Sequence, residues 1–146
     1  MSDFDNPIDP PGGWQRDHLR RYVESDGGAG HEWRPGVMTL LLTTTGRRSG
    51  QAHRTPLIYG VDGDRYLVVA SKGGSDTHPL WYLNLTANPA VRVQVADAVF
   101  DARARTATPE EKSRLWPVMT DIWPLYDEYQ DRTRREIPLV ILEPAR

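Results

Sequence analysis

The stretch "VMTLLLTTTGRRSGQAHRTPLIYGV", residues 37–61, decides the fold. Residues 37–44, "VMTLLLTT", are apolar and β-prone, and the spacing predicts a buried strand. "GRRSG" (46–50) reads as a turn. "QAHRTPLIYGV" (51–61) reads as a second strand. Pro56 within it must mark a bulge or an edge, because proline has no N–H to give to a ladder.

Working outward, the same grammar repeats. "DGD" (62–64) is a hairpin signal leading to "RYLVVAS" (65–71), a third strand. "KGGSD" (72–76) is a loop, and "HPLWYLNLTANP" (78–89) a short helix with proline in its first turn. "AVRVQVA" (90–96) alternates, and "AVFDARART" (98–106) is its antiparallel partner. Thr108 opens a late helix through "TPEE", the pattern of a capping box. That helix extends through "KSRLWPVMTDIWPLYDEYQDRT", with Pro117 and Pro124 predicted to kink or break it. "IPLVILE" (137–143) closes the chain as a strand.

Before residue 37 the pattern differs. Residues 1–13, "MSDFDNPIDPPGG", read as a flexible leader. Trp14 to about Ser25 is helical, with Trp14, His18, Tyr22 and Val23 on one face and Arg16, Arg20 and Arg21 away from it. "DGGAG" (26–30) ends that helix. About six strands joined by tight turns favour a mainly β fold with helices (α+β), an antiparallel barrel in a single domain over residues 14–146.

Composition sets outer bounds. A chain of 146 residues, 38% hydrophobic and 26% charged, has the make-up of a soluble globular domain. Its formal net charge of -2 argues against a general nucleic-acid binder. With no cysteine there is neither a disulfide nor a thiolate metal site, which fits a reducing cytoplasm. The apolar run at "VMTLLL" falls well short of the roughly 20 residues of a spanning helix. A peripheral membrane contact stays open, as does the oligomeric state.

Four stretches could hold chemistry. Between Arg47 and Lys72 five basic side chains (Arg47, Arg48, Arg54, Arg65, Lys72) face two acidic ones (Asp62, Asp64) in a chain that is acidic overall. Arginine's planar fork suits phosphate or carboxylate, although a solvated hairpin tip would use the same residues. "ASKGG" (70–74) lets backbone approach a ligand closely, or is an ordinary turn; it lacks the spacing of a phosphate loop. In "HPLWYLNL" (78–85), Trp81 and Tyr82 can stack on a flat ring and Asn84 can hydrogen-bond one, or the helix plugs the barrel. Trp116, Met119, Trp123, Tyr126 and Tyr129 recur at steps of three or four, and form either packing or a lid. The four histidines lack metal-ligand spacing, and no GxSxG or GxGxxG is present.

Taken together and in order, "LLLTTTGRRSG", "RTPLIY", "VVASKGG" and "PLWYLNLTANP" resemble the deazaflavin-dependent nitroreductase family of actinobacteria over residues 37–143. Those proteins are split β-barrels that use coenzyme F420. The resemblance implies that Arg47, Arg48, Ser49 and Arg54, with Lys72, meet the cofactor's anionic tail. It places Thr55, Pro56, Leu57, Ile58, Val69, Ala70 and Ser71 against the ring and His53 along the groove. Leu80, Trp81, Tyr82, Leu83 and Asn84 would close the other side. Reduced F420 (F420H2) would give a hydride to a small electrophilic acceptor such as a quinone, a conjugated enone or a nitro compound. Ser71 and Tyr126 are the candidate donors to the acceptor's oxygen, with Trp123, Tyr126 and Tyr129 shaping the substrate pocket.

Two departures from the family pattern stand out. The turn has Arg48 where lysine is frequent, which keeps the charge. Trp123 stands where a nitroimidazole-activating relative has tyrosine, which favours quinones or enones as substrates. An FMN-dependent oxidoreductase of the same fold and a non-enzymatic flavin or deazaflavin carrier are the alternatives. One phosphate without a glutamate tail would leave the basic cluster over-provided, and a carrier needs no pocket beside the ring.

Overall fold

A computed structural model of the chain describes residues 3–145. Strand β2 (Val37–Thr45) and strand β3 (Ala52–Ile58) form the expected hairpin, in unbroken antiparallel register from Thr39 opposite Ile58 to Thr45 opposite Ala52. The other edge of β2 takes β1 (Glu32–Arg34) and then β6 (Ala90–Val95). From β6 the sheet continues through β7 (Ala98–Thr106), β8 (Leu139–Pro144), β5 (Arg65–Val69) and β4 (Gly60–Asp62), all antiparallel. The sheet curls into a half-closed barrel, with β3 hydrogen-bonded to β2 and not to β5.

Alternation along β2 explains its unbroken apolar run. Successive side chains of a strand point to opposite faces. Leu40 and Leu42 enter the barrel core with Val68, Val91, Val93, Val140 and Leu142. Leu41 points outward and packs under Leu19 and Tyr22 of helix α1 (Gly13–Glu24). β5 and β8 divide their residues in the same way. Leu67, Val69, Leu139 and Ile141 face a second core, closed by Leu115 and Met119 of α3 (Pro109–Ile122) and Tyr126 of α4 (Leu125–Asp131). Both faces of these strands are therefore dry, and each fully buried leucine contributes about 1.5–3 kcal/mol.

The single strand expected over 51–61 divides at Tyr59. The chain leaves β2 there and pairs with β5 instead, with Gly60 opposite Leu67. A Cβ on Gly60 would lie 2.7 Å from the Met119 sulfur, so a side chain at this corner would require Met119 of α3 to shift. Pro56 sits on an edge, as expected. The N–H of Arg54, two residues earlier and on the same side of β3, is bonded to Ile8 and faces away from β2, so the N–H that Pro56 lacks would face the open side.

The late helix breaks once, between Ile122 and Leu125, and not at Pro117. Pro117 removes one helical bond, but Leu115 and Met119 on either side are buried and hold the helix in place. The Thr108 capping box is formed in both directions, Glu111 N–H to Thr108 Oγ1 at 3.2 Å and Thr108 N–H to Glu111 Oε1 at 2.9 Å. Sequence periodicity did not mark β1, which is only three residues long. Before α1, Ile8 bridges His53 and Asp9 pairs with Arg54 of β3, while Asp5 pairs with Arg92 of β6.

Candidate active site

The β2–β3 hairpin forms one wall of a cavity of about 770 Å³ and gives it two unlike ends. The strand pair from Thr45–Ala52 to Thr39–Ile58 spans about 20 Å at the usual rise per residue. At the turn end stand Arg47, Arg48, Ser49 and His53, with Lys72 and Gly73 also in the wall. Thr55, Pro56, Leu57 and Ile58 continue the wall as an apolar strip, opposed by Val69 and by Leu80 and Trp81 of α2 (Leu80–Ala87). At the far end are Trp14, Gln15, His18, Trp33 and Thr39. Trp123, Tyr126 and Tyr129 complete the enclosure.

The basic turn is held from behind. Gly46 N–H bonds Gln51 O at 2.7 Å and Gly50 N–H bonds Gly46 O at 2.9 Å, which closes the turn. Asn84 then staples it to α2, accepting from Arg47 N–H at 3.1 Å and donating to Thr44 Oγ1 at 3.2 Å. The amide of Asn84 is thus spent on holding the turn. Arg47 and Arg48 have no carboxylate within ion-pairing distance among the described residues. Two exposed guanidinium groups beside an apolar groove have the chemistry to meet an anion.

Four residues singled out from the sequence stand outside the wall. Arg54 is on the opposite face of β3 from His53 and Thr55, and Asp9 grips its guanidinium at 2.8 and 3.0 Å. Ala70 is fully buried beneath the strand end. Tyr82 and Leu83 fall between Trp81 and Asn84 on the helix, and the Tyr82 hydroxyl bonds Thr106 Oγ1 at 2.8 Å. The remaining seventeen, Arg47, Arg48, Ser49, His53, Thr55, Pro56, Leu57, Ile58, Val69, Ser71, Lys72, Leu80, Trp81, Asn84, Trp123, Tyr126 and Tyr129, line one cavity.

Tyr126 is 4% exposed, and no hydrogen bond engages its hydroxyl among the described residues. Burial, with Tyr129 beside it, pushes its pKa well above the ordinary tyrosine value, so it stays a protonated donor at neutral pH. Tyr129 is oriented by Trp123, whose indole N–H reaches its hydroxyl at 3.4 Å. Trp116 donates to Asp127 at 2.8 Å and clasps α3 to α4, fixing the arch on which these rings sit. Gly74, at φ 84°, lies under α4, where a Cβ would be 2.7 Å from the Tyr129 carbonyl oxygen.

Trp33 is the residue that sequence reasoning missed. It stacks on Trp14 with centroids 5.7 Å apart and meets Trp123 at 5.5 Å, so α1, β1 and the end of α3 converge at the cavity mouth. Arg34 lies 4.5 Å over the Trp33 ring. A lone tryptophan in a glycine- and proline-flanked segment, "GHEWRPG", was the available signal. His18 was read only as a helix-face residue, yet it is buried in the same end. Thr39 Oγ1 donates to Gly30 O at 2.8 Å, so it accepts from His18 Nε2–H at 3.0 Å. Burial, then Arg21, lowers the His18 pKa and keeps the imidazole neutral.

Comparison with known proteins agrees with this geometry. The family described as F420H(2)-dependent quinone reductase matches residues 14–144. An F420H(2)-dependent quinone reductase of Mycobacterium tuberculosis is 41% identical over 128 residues, 86% of each chain. A solved structure described as an F420-H2 dependent reductase is 43% identical, with a TM-score of 0.67 over 72% of this chain and 93% of that one. A chain described as a domain-swapped dimer is 40% identical, with a TM-score of 0.71 over 88% of this chain and 96% of that one. With a curled antiparallel sheet and a matched span from Trp14 to Pro144, the chain belongs to the F420H(2)-dependent quinone reductase family, split-barrel oxidoreductases whose cofactor is reduced coenzyme F420.

Proposed function

We propose that this chain reduces a quinone with F420H2, holding the cofactor's anionic tail at Arg47, Arg48, Ser49 and Lys72 and its ring along Thr55–Ile58, Val69 and Ser71. One observation carries the reading. Two arginines with no carboxylate partner among the described residues stand at the end of a groove whose other walls are apolar and aromatic. A ligand with a flat apolar ring and a polyanionic tail matches both ends of that groove. When bound, reduced F420 supplies a hydride.

The chain's own part is placement, dryness and charge. Leu57, Ile58 and Val69 offer a dry apolar face, and Leu80 and Trp81 oppose it. Trp14, Trp33 and Trp123 gather aromatic surface at the mouth of the cavity. As a quinone takes a hydride, negative charge develops on its oxygen. The protonated Tyr126 hydroxyl donates to that oxygen, and Ser71 is the second candidate donor. Neutral His18 adds no charge at the same end.

A fluorescence titration with F420 and with FMN, followed by turnover of a benzoquinone or naphthoquinone, tests this reading. F420 is expected to bind more tightly than FMN, and F420H2 to be oxidised only when quinone is added. Equal or tighter FMN binding would overturn the tail assignment. The double substitution Arg47→Glu, Arg48→Glu is expected to weaken F420 binding at least tenfold with the thermal midpoint unchanged, since charge-assisted contacts contribute about 1.5–3 kcal/mol each.

A further inference from the structure

We infer that Arg135 is a positioning residue for cofactor binding, one that sets the Ser71–Gly73 turn from outside the cavity. The inference rests on the reading that F420 occupies the cavity. Arg135 lies between α4 and β8, half-buried, and is not part of the cavity wall. Its Nε donates to Ser75 O at 2.6 Å, Nη2 to Ser71 O at 2.7 Å, and Nη1 to Ala70 O at 3.2 Å and to His78 Nδ1 at 3.1 Å. No carboxylate lies within 4.0 Å of it among the described residues. Arginine usually meets an acid; this one directs its fork at backbone carbonyls on both sides of a single loop.

The peptide bonds translate that grip into the site. All described peptides are trans, so each carbonyl oxygen points opposite to the N–H of the next residue. Drawing Ala70 O and Ser71 O onto Arg135 therefore turns the N–H groups of Ser71 and Lys72 away from it. Neither N–H has a protein partner among the described residues. Ser71 is right-handed, at φ -80° and ψ -39°, and Lys72 is left-handed, at φ 46°. A right-handed residue followed by a left-handed one makes successive N–H groups converge into an anion-binding concavity. Ser71, Lys72 and Gly73 all line the cavity. A lysine avoids positive φ when left to itself, so the turn needs an external hold, and Arg135 provides it. Thr133, bonded to Asp76 at 2.8 Å, and Arg132, bonded to Gly73 O at 3.4 Å, fasten the same loop more weakly.

The concavity receives an oxygen acceptor of the cofactor, either a ring carbonyl or the tail phosphate. The test compares the full-length chain with Arg135→Ala and Arg135→Lys. Each is titrated with F420 and with the deazaflavin ring compound that lacks the phosphate tail, and folding is checked by circular dichroism. Arg135→Ala is expected to raise the F420 dissociation constant at least tenfold. Guanidinium at a sub-denaturing concentration should restore affinity, where the same ionic strength of sodium chloride does not. Arg135→Lys, which keeps charge and length, should fail to restore it, because one ammonium cannot span three carbonyls. Equal weakening of the tail-less compound assigns the concavity to a ring carbonyl; a loss seen only with F420 assigns it to the phosphate.

Wild-type affinity in Arg135→Lys, or a loss in Arg135→Ala that guanidinium does not relieve, would overturn the positioning role. Should Arg135→Ala not fold, Arg135→Lys and the amide shifts of Ser71 and Lys72 in wild-type protein decide. Those two shifts must move when cofactor is added. Failure of the wild-type chain to bind F420 at all would overturn the functional reading, separately from any effect of Arg135.

Discussion

Tyr126 tests the site at the scale of one residue. Its hydroxyl is buried at the cavity, protonated, and unengaged by protein among the described residues. Tyr126→Phe keeps the ring in the second core and removes only the donor. Turnover of a quinone is expected to fall by ten- to a hundredfold while the F420 dissociation constant stays within twofold. Intact turnover would remove Tyr126 from the donor role. His18 gives a pH signature. Its pKa is lowered below 6.5 by burial, so the unfolded chain binds a proton more readily than the folded one. The stabilising contribution is complete above 6.5 and is lost as pH falls through the lower folded value. Thermal midpoints measured against pH should show that acid loss, and His18→Gln should flatten it. Arg47 and Arg48 were legible as candidates because two adjacent arginines stand in a turn, and Ser71 became one only through the family resemblance. Arg135 was not, because an arginine that grips backbone looks like any other charged residue until the loop it holds is seen.

Among the elements, the strongest local signals came through intact. "TPEE" foretold a capping box, and both of its hydrogen bonds are present. Thr108→Ala removes one of them and should cost about 1 kcal/mol, lowering the thermal midpoint by about 3 °C. A smaller shift would mean that the bidentate pair of Arg105 with Glu111, at 2.7 and 2.8 Å, anchors the helix start alone. That pair depresses the Glu111 carboxyl to about 2, so its support is present above 4.5 and fails only as pH falls towards 2. Less legible were the elements set by tertiary contact. β1 has three residues and exists because β2 offers it an edge. The division of 51–61 at Tyr59 follows from a change of partner strand, which no local pattern encodes. Pro117 showed the converse: a strong local breaker is overruled when the residues two positions to either side, Leu115 and Met119, are buried.

For the molecule as a whole, the fold class was readable because the strand-to-strand links in the barrel, the corner at Tyr59 apart, are either tight turns or contain a helix. What the sequence concealed was the way distant segments converge on the cavity. Ile8 and Asp9 lie against the edge of β3, and Asp9 occupies Arg54, which with Arg65 is one of two basic side chains of the cluster outside the groove; Arg65 is paired with Asp62 and Glu111. Asp9→Ala should loosen that segment without touching the core. Amide exchange at Arg54, whose N–H bonds Ile8 O at 2.9 Å, is expected to quicken roughly tenfold, a change of about 1.4 kcal/mol, while Leu40–Leu42 stay protected. Unchanged exchange at Arg54 would show that the backbone bridge holds without the ion pair.

The convergence of rings at the cavity mouth has an optical consequence. Of the chain's five tryptophans, Trp14, Trp33, Trp81 and Trp123 all face the one cavity, and Trp14 and Trp33 are stacked within 15° of parallel. Indoles this close couple their electronic transitions, so the near-ultraviolet circular dichroism of the protein reports mainly on one place. Any occupant that parts the stack, or accepts excitation energy from it, changes that spectrum and quenches the emission. The enzyme therefore reports the filling of its own site without a label, and a stopped-flow trace can time binding separately from chemistry.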